Sequence, residues 1–234
     1  MIEKLDFETY LYISKNEFQI FVLDIKKSKN LYSEKLKIDC QFDFKNSNSL
    51  INFLDNNIYK IEKLVGNFIK NIILILNIEK TLKVNIGSKK KNYENLVKQK
   101  NLENNLIELK DLFKENYQNQ KIMHMHVLNY FFDGKRYSFF EDKKINNHFC
   151  IEVSFVTIDN EITFLLNNIL EKYQIKITKY MCGNYIRDFT DEDNDKISIT
   201  AYKLQNGLNK NEVIFVPKSH KNKGFFEKFF QLFN

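Results

Sequence analysis

Thr9-Tyr-Leu-Tyr-Ile-Ser-Lys-Asn-Glu-Phe-Gln-Ile-Phe-Val-Leu-Asp24 decides how the chain begins to fold. Two apolar runs, 9–13 and 17–24, flank Ser14-Lys15-Asn16, a link short enough only for a tight turn. The stretch therefore reads as a β-hairpin in which Phe18, Ile20 and Val22 share one face. A third strand is expected over 34–44, where Leu36, Ile38, Cys40, Phe42 and Phe44 alternate with polar neighbours. Asn46-Ser-Asn-Ser49 is a turn and cap region that launches a helix from Leu50 to Val65. Its Ile51, Leu54, Ile58, Ile61 and Val65 keep a helical period, and Gly66 closes it.

Residues 69–78 are the most apolar segment and fit a central strand buried on both faces. A short strand at 81–86 precedes a solvated Lys89-Lys-Lys91 run. A helix over 96–117 carries the stripe Leu102, Leu106, Leu109, Leu112 and Phe113. Strands are expected at 121–132, before an Asp133-Gly134 turn, and at 149–158. Asn160 is placed to cap a helix over 161–173, and a strand is expected at 175–180. The segments 197–204 and 212–216 read as a final hairpin around Gly207. Strands alternating with a few helices make this a mixed α/β (α+β) globule rather than a helical bundle.

The 234 residues are 43% apolar and 28% charged, enough for a sizeable core, and the net charge of +6 suits an anionic partner surface. Cys40, Cys150 and Cys182 have no framework spacing, so a reducing compartment is expected. No uncharged apolar run approaches 20 residues. Arg136 and Arg187 are the only arginines, and no aromatic RNA-binding motif is present, which argues against nucleic acid as the partner.

Lys223-Gly-Phe-Phe-Glu-Lys-Phe-Phe-Gln-Leu-Phe-Asn234 places Phe225, Phe226, Phe229, Phe230 and Phe233 on one side of a helical wheel. Leu232 adds to the apolar content, and Lys223 and Lys228 join Lys218 and Lys221 around it. Three readings are open: a helix docked on the chain's own core, one laid into a partner's groove, or an amphipathic anchor on a membrane surface. Burying one Phe is worth about 1.5–3 kcal/mol and each lysine near anionic lipid roughly 1 kcal/mol. On the membrane reading, the aromatic face supplies the attachment and the lysines choose the surface.

Signals for catalysis or metal binding are weaker. His124 and His126 share a strand face, and His148 and Cys150 repeat that spacing on a later strand, a set that could hold zinc in principle. Ordinary strand histidines are the expectation, with no metal and no cofactor. Cys182-Gly183 lacks a base placed by sequence. Asp188, Asp191, Glu192, Asp193 and Asp195 form a solvated acidic loop without the ordered spacing of a calcium site. No catalytic residue is expected.

The order of motifs resembles the bacterial actin-like cell-division protein FtsA in a shortened form. Lys121-Ile-Met-His-Met-His-Val-Leu-Asn-Tyr-Phe-Phe-Asp-Gly134 is similar to a strand of that family, with His126, Tyr130, Asp133 and Gly134 in register. Cys150-Ile-Glu-Val-Ser-Phe-Val-Thr157 is similar to the family's LEVEVHIVT strand, matching at Glu152, Val156 and Thr157. The tail from Lys223 to Phe233 is similar to the family's membrane-targeting end. The resemblance implies a partial actin-like, RNase H-like core over 1–80 and 159–217, the latter including the final hairpin. It implies an inserted protein-interaction subdomain over 81–158, then a linker and membrane-targeting helix over 218–234.

The function implied by the resemblance is that of a non-enzymatic adaptor, peripheral on the cytoplasmic face of the bacterial inner membrane. It would scaffold divisome proteins and carry surfaces for self-association; contact with FtsZ is not carried over, because the receiving subdomain has no counterpart. The chain departs from the family at the phosphate loops. Tyr12-Ile-Ser-Lys15 stands where an Asp-x-Gly-Thr/Ser loop is expected, and 190–196 offers no glycine. Loss of ATP binding is the resulting expectation. The alternatives are an actin-like ATPase with a remodelled site and a soluble protein-interaction domain of the pilus-assembly type.

Overall fold

In the computed structural model of the chain, residues 6–39, 41–91, 96–97, 99–140, 143–144, 148–190 and 196–214 are described. They divide into two units: residues up to Thr81 together with Asp159–Asn206, and Leu82–Ile158 together with residues 207–214.

In the first unit the hairpin forms as its sequence indicates. β1 (Phe7–Ser14) and β2 (Glu17–Asp24) pair antiparallel from Phe7↔Asp24 to Ile13↔Phe18. β3 (Lys29–Lys37) adds to β2, again antiparallel. α1 (Asn48–Val65) ends at Gly66, whose φ of 68° lies in the left-handed region and whose N–H donates to the Glu62 carbonyl at 2.9 Å. The chain then returns as β4 (Asn71–Asn77), parallel to β1. After the second unit, Asp159 caps α3 (Asn160–Glu171), and β11 (Lys176–Cys182) lies parallel to β4. The sheet order is β11-β4-β1-β2-β3, with β2 running against the other four. A meander of three strands, then two parallel strands each delivered by a helix, is the half-core of an actin-like, RNase H-like fold.

Strands buried on both faces explain the near-continuous apolar runs. Tyr10, Tyr12, Phe21, Leu23, Ile73 and Ile75 pack on one side against α4 (Gly183–Arg187) and α5 (Ile197–Gln205). Leu11, Ile13, Ile20 and Val22 alternate with them and point the other way. There Phe18 meets Phe53 of α1 with ring centroids 5.9 Å apart.

Two expectations are corrected here. The third strand is 29–37, not 34–44, because the ladder ends where Lys37 pairs with Glu17, the first residue of β2; beyond it Ile38 and Phe42 donate to carbonyls of the turn. Phe42 instead meets Phe18 and Phe44 at 4.8 and 4.9 Å as an aromatic cluster. The stretch 197–204 is a helix, not half of a hairpin. Its Ile197, Ala201 and Leu204 keep a helical period and cover the sheet face carrying Tyr10, Phe21 and Leu23.

The second unit is a four-stranded sheet of order β5-β10-β7-β8. Its strands are β5 (Thr81–Lys91), β7 (Gln120–Phe132), β8 (Lys135–Tyr137) and β10 (His148–Asp159). β6 (Leu96–Val97) and β9 (Lys143–Lys144) form a separate two-stranded ladder. α2 (Gln99–Asn116) lays Leu102, Leu106, Leu109 and Phe113 onto Met125, Val127, Ile151, Val153 and Phe155. Phe113 stacks on Phe155 at 4.6 Å and on Tyr117 at 4.7 Å. Asp133 and Gly134, both at positive φ (47° and 81°), make the tight turn from β7 to β8 that the sequence pattern indicated.

Candidate functional site

In open α/β sheets, ligands bind outside the carboxyl ends of the strands. Here the parallel strands β1, β4 and β11 end in register, with Ser14 beside Asn77 and Cys182 beside Leu76. An actin-like protein would receive nucleotide phosphates at this place, on the turn between β1 and β2.

The chain's own groups occupy it. Ser14 Oγ accepts from the backbone N–H of Glu17 at 3.1 Å and of Asn16 at 3.4 Å, and donates to the Glu17 carbonyl at 3.2 Å. Those amides are the donors a phosphate would need, and the serine hydroxyl takes both. The turn's carbonyls are engaged as well: Lys15 accepts from Phe42 N–H at 2.7 Å and Asn16 from Ile38 N–H at 2.9 Å. Lys15 forms an ion pair with Glu79, just beyond β4.

Next to the turn, where the resemblance calls for an aspartate, stands the fully buried Tyr12. Its hydroxyl accepts from Asn77 Nδ2 at 2.9 Å and from an Arg187 guanidinium N–H at 2.5 Å. The guanidinium carbon also lies 5.5 Å from the Tyr12 ring centroid. Burial pushes the Tyr12 phenol above its ordinary range, against the opposing pull of Asn77 and Arg187, so it stays neutral at physiological pH. The backbone of α4 closes the third side. A Cβ on Gly183 would lie 2.7 Å from Asn77 Cβ and 3.1 Å from its Cα, so only glycine lets the helix start this close to β4. Two acids beside the turn, Glu79 and Glu17, are each paired with a lysine (Glu17 with Lys35 at 2.7 Å). Among the described residues, two of the turn's amides and both of these carboxylates are already engaged by the chain's own groups.

The motif positions in the second unit serve its architecture. Tyr130 is buried beside Phe140 at 5.9 Å, and burial pushes its phenol up to about 12. Asp133 ties the turn to β10: its carboxylate accepts from His148 N–H at 3.1 Å, and its own N–H donates to the His148 carbonyl at 3.0 Å. Glu152 accepts from the Asn129 amide, which in turn accepts from Arg136. Val156 is half-buried, and Thr157 is fully buried with its hydroxyl 2.8 Å from Gln120 Oε1. Asp133, Gly134 and Glu152 also line an open groove of about 560 Å³ with Lys89, His148 and Cys150.

His124 and His126 are drawn not to His148 and Cys150 but to Glu212. Glu212 bridges His126 across an antiparallel contact, and its Oε1 is 2.7 Å from His124 Nδ1. His126 is held down to about 4, first by burial, then by the neighbouring His124 and by Lys83, with Glu212 opposing. Glu212 and Arg187 are the site residues that sequence reasoning missed. Each meets its partners across a long loop of chain, a relation that local periodicity does not encode.

The tail residues Lys223, Phe225, Phe226, Lys228, Phe229, Phe230, Leu232 and Phe233 lie outside the described residues, as do Cys40 and residues 191–195 of the acidic loop. Among the described residues, no helix is long and apolar enough to cross a membrane.

No protein-family model and no curated protein matches the chain. Solved structures do. The cytoplasmic domain of EpsL, an inner membrane component of the type II secretion system of Vibrio cholerae, matches with a TM-score of 0.36 and 10% identity, over 76% of this chain and 56% of that one. A Bacteroides thetaiotaomicron protein with an actin-like ATPase fold matches at 0.33 and 15%, over 81% and 58%. A chain of the PilM–PilN type IV pilus biogenesis complex matches at 0.45 and 8%, over 78% and 49%. The chain thus spans about half the length of these structures. None of the three is FtsA.

Proposed function

We propose that the chain is a non-enzymatic adaptor, in which half of an actin-like core has become a fixed platform for protein contacts at a membrane surface. The observation that carries this reading is the occupied crevice. The Ser14 hydroxyl takes the turn amides, and Tyr12, Asn77 and Arg187 interlock where phosphates would sit. With these groups satisfied by one another, nucleotide would have to break several hydrogen bonds to enter.

The membrane part of the proposal rests on the amphipathic pattern of 223–234 and its lysines. As the setting we infer an assembly of the secretion or pilus type rather than the division machinery. The EpsL and PilM–PilN structures come from such systems, and within the described residues the FtsA-like stretches 121–134 and 150–157 place Tyr130, Asp133, Gly134 and Thr157 in a turn and the core.

Calorimetry with millimolar MgATP tests the first part: no saturable heat is expected, and binding tighter than about 100 μM would restore the ATPase alternative. Flotation with vesicles of anionic and of neutral lipid tests the second. The full chain is expected to float with anionic vesicles only, in a salt-sensitive manner, and removal of 223–234 to abolish it. Equal flotation of the shortened chain would refute the anchor.

A further inference from the structure

His124 and His126 stand two residues apart on β7, so both rings leave the same face of the strand. The rings are stacked, with centroids 5.6 Å apart and planes 17° from parallel. Across from them runs a segment 88 residues distant from His124. Val127 N–H donates to the Asn211 carbonyl at 2.9 Å, and Val213 N–H to the Met125 carbonyl at 2.8 Å. These two bonds fix the register, place Glu212 opposite His126, and send its side chain to the histidine face. One ligand atom from each of the three residues lies within 4.8 Å of the others. The side chains of His124 and Glu212 are 0% and 3% exposed.

A buried carboxylate facing two imidazoles, with its backbone pinned on either side, is a donor set whose atoms are already gathered by the fold. We propose that His124, His126 and Glu212 are three ligands of one divalent transition-metal ion, with zinc the ion that suits them. Two imidazoles and one carboxylate match zinc's borderline-soft preference, whereas magnesium and calcium take oxygen ligands throughout. Tetrahedral coordination at zinc–ligand distances of about 2.0–2.2 Å sets donor atoms roughly 3.4 Å apart. The widest separation here must then close by about 1.4 Å, within reach of small side-chain rotations. A water or other small ligand takes the fourth position. Because Glu212 arrives from far along the chain, the ion fastens the 209–213 segment to the edge of β7.

The test uses the full, untagged chain. Metal content is measured as purified; the protein is then stripped with chelator and titrated with Zn²⁺, and separately with Co²⁺ to read tetrahedral absorption. One equivalent per chain, a tetrahedral cobalt spectrum and slower hydrogen exchange over 207–213 are expected. Glu212→Gln keeps a hydrogen-bonding group for His124 but removes the anionic ligand, and His126→Gln removes a ligand from the less buried position. Each is expected to weaken zinc at least about a hundredfold, more than the 10–100-fold typical of changes to groups behind the ligands. His148→Ala and Cys150→Ala are expected to bind as the parent does. A stripped, folded parent that takes up no ion overturns the proposal, as does undiminished binding by both glutamine variants, or loss of binding in the His148 or Cys150 variant.

Discussion

Replacing Tyr12 with phenylalanine asks whether the crevice is held shut by the hydroxyl or merely filled by the ring. The ring is fully buried and stays in place, so the packing of Tyr10, Phe21, Ile73 and Ile75 around it is unchanged. What goes is one acceptor serving two donors, Asn77 Nδ2 at 2.9 Å and the Arg187 guanidinium at 2.5 Å. A neutral hydrogen bond contributes about 1 kcal/mol net and one from a charged donor about 1.5–3 kcal/mol. Arg187 is exposed and Asn77 half-buried, so water recovers part of both, and a loss of about 1–2 kcal/mol remains. For a protein of this size that lowers Tm by roughly 2–8 °C. A cycle with Arg187→Met in urea denaturation isolates the pair, since the methionine keeps much of the arginine stem's packing. A coupling of at least about 0.5 kcal/mol is expected. Additive losses, or a Tyr12→Phe variant as stable as the parent, would refute the lock.

Gly183→Ala drives a Cβ to 2.7 Å from that of Asn77 and should cost about 1–3 kcal/mol, read as an earlier urea midpoint at unchanged slope. Phe113→Ala removes the ring stacked between Phe155 and Tyr117, and should cost about 3–5 kcal/mol in the second unit. Hydrogen exchange there should rise while the first unit's exchange is unaltered. In chelator-treated protein, His126 binds a proton near pH 4 when folded and near 6.5 when unfolded. The groups acting on it are His124, Lys83 and Glu212. Between those two values the unfolded chain holds the extra proton, so stability is complete above about pH 6.5 and declines as pH falls, by up to about 3 kcal/mol at pH 4. His126→Gln should flatten this part of the denaturation profile.

Where one period dominates, the fold was legible. The hairpin around Lys15, α1 with its closing Gly66, the apolar β4, α2 with Leu102, Leu106, Leu109 and Phe113 (though Leu112 of the expected stripe is exposed) and the Asp133-Gly134 turn all came from local pattern. α5 was misread because Ile197-Ser-Ile-Thr-Ala-Tyr-Lys-Leu204 alternates and is rich in β-branched residues. What makes it helical is a sheet face that needs covering, which is tertiary information. β3 was displaced because the length of its partner, not its own alternation, set its end. At the crevice, the absence of glycine from Tyr12-Ile-Ser-Lys15 was visible in the sequence. The groups that fill the place were not, since Arg187 reaches Tyr12 over 175 residues of sequence. The His124–Glu212 contact was hidden for the same reason.

The interlocked tyrosine, asparagine and arginine also bear on timing. An actin-like subunit that hydrolyses its nucleotide carries an internal clock, because the state of the bound phosphate records how long ago it joined an assembly. Under the proposed adaptor function, a subunit whose own side chains fill that place keeps no such record. An assembly built on it would then be dismantled by dilution, by competition for its surfaces, or by a motor housed in another polypeptide.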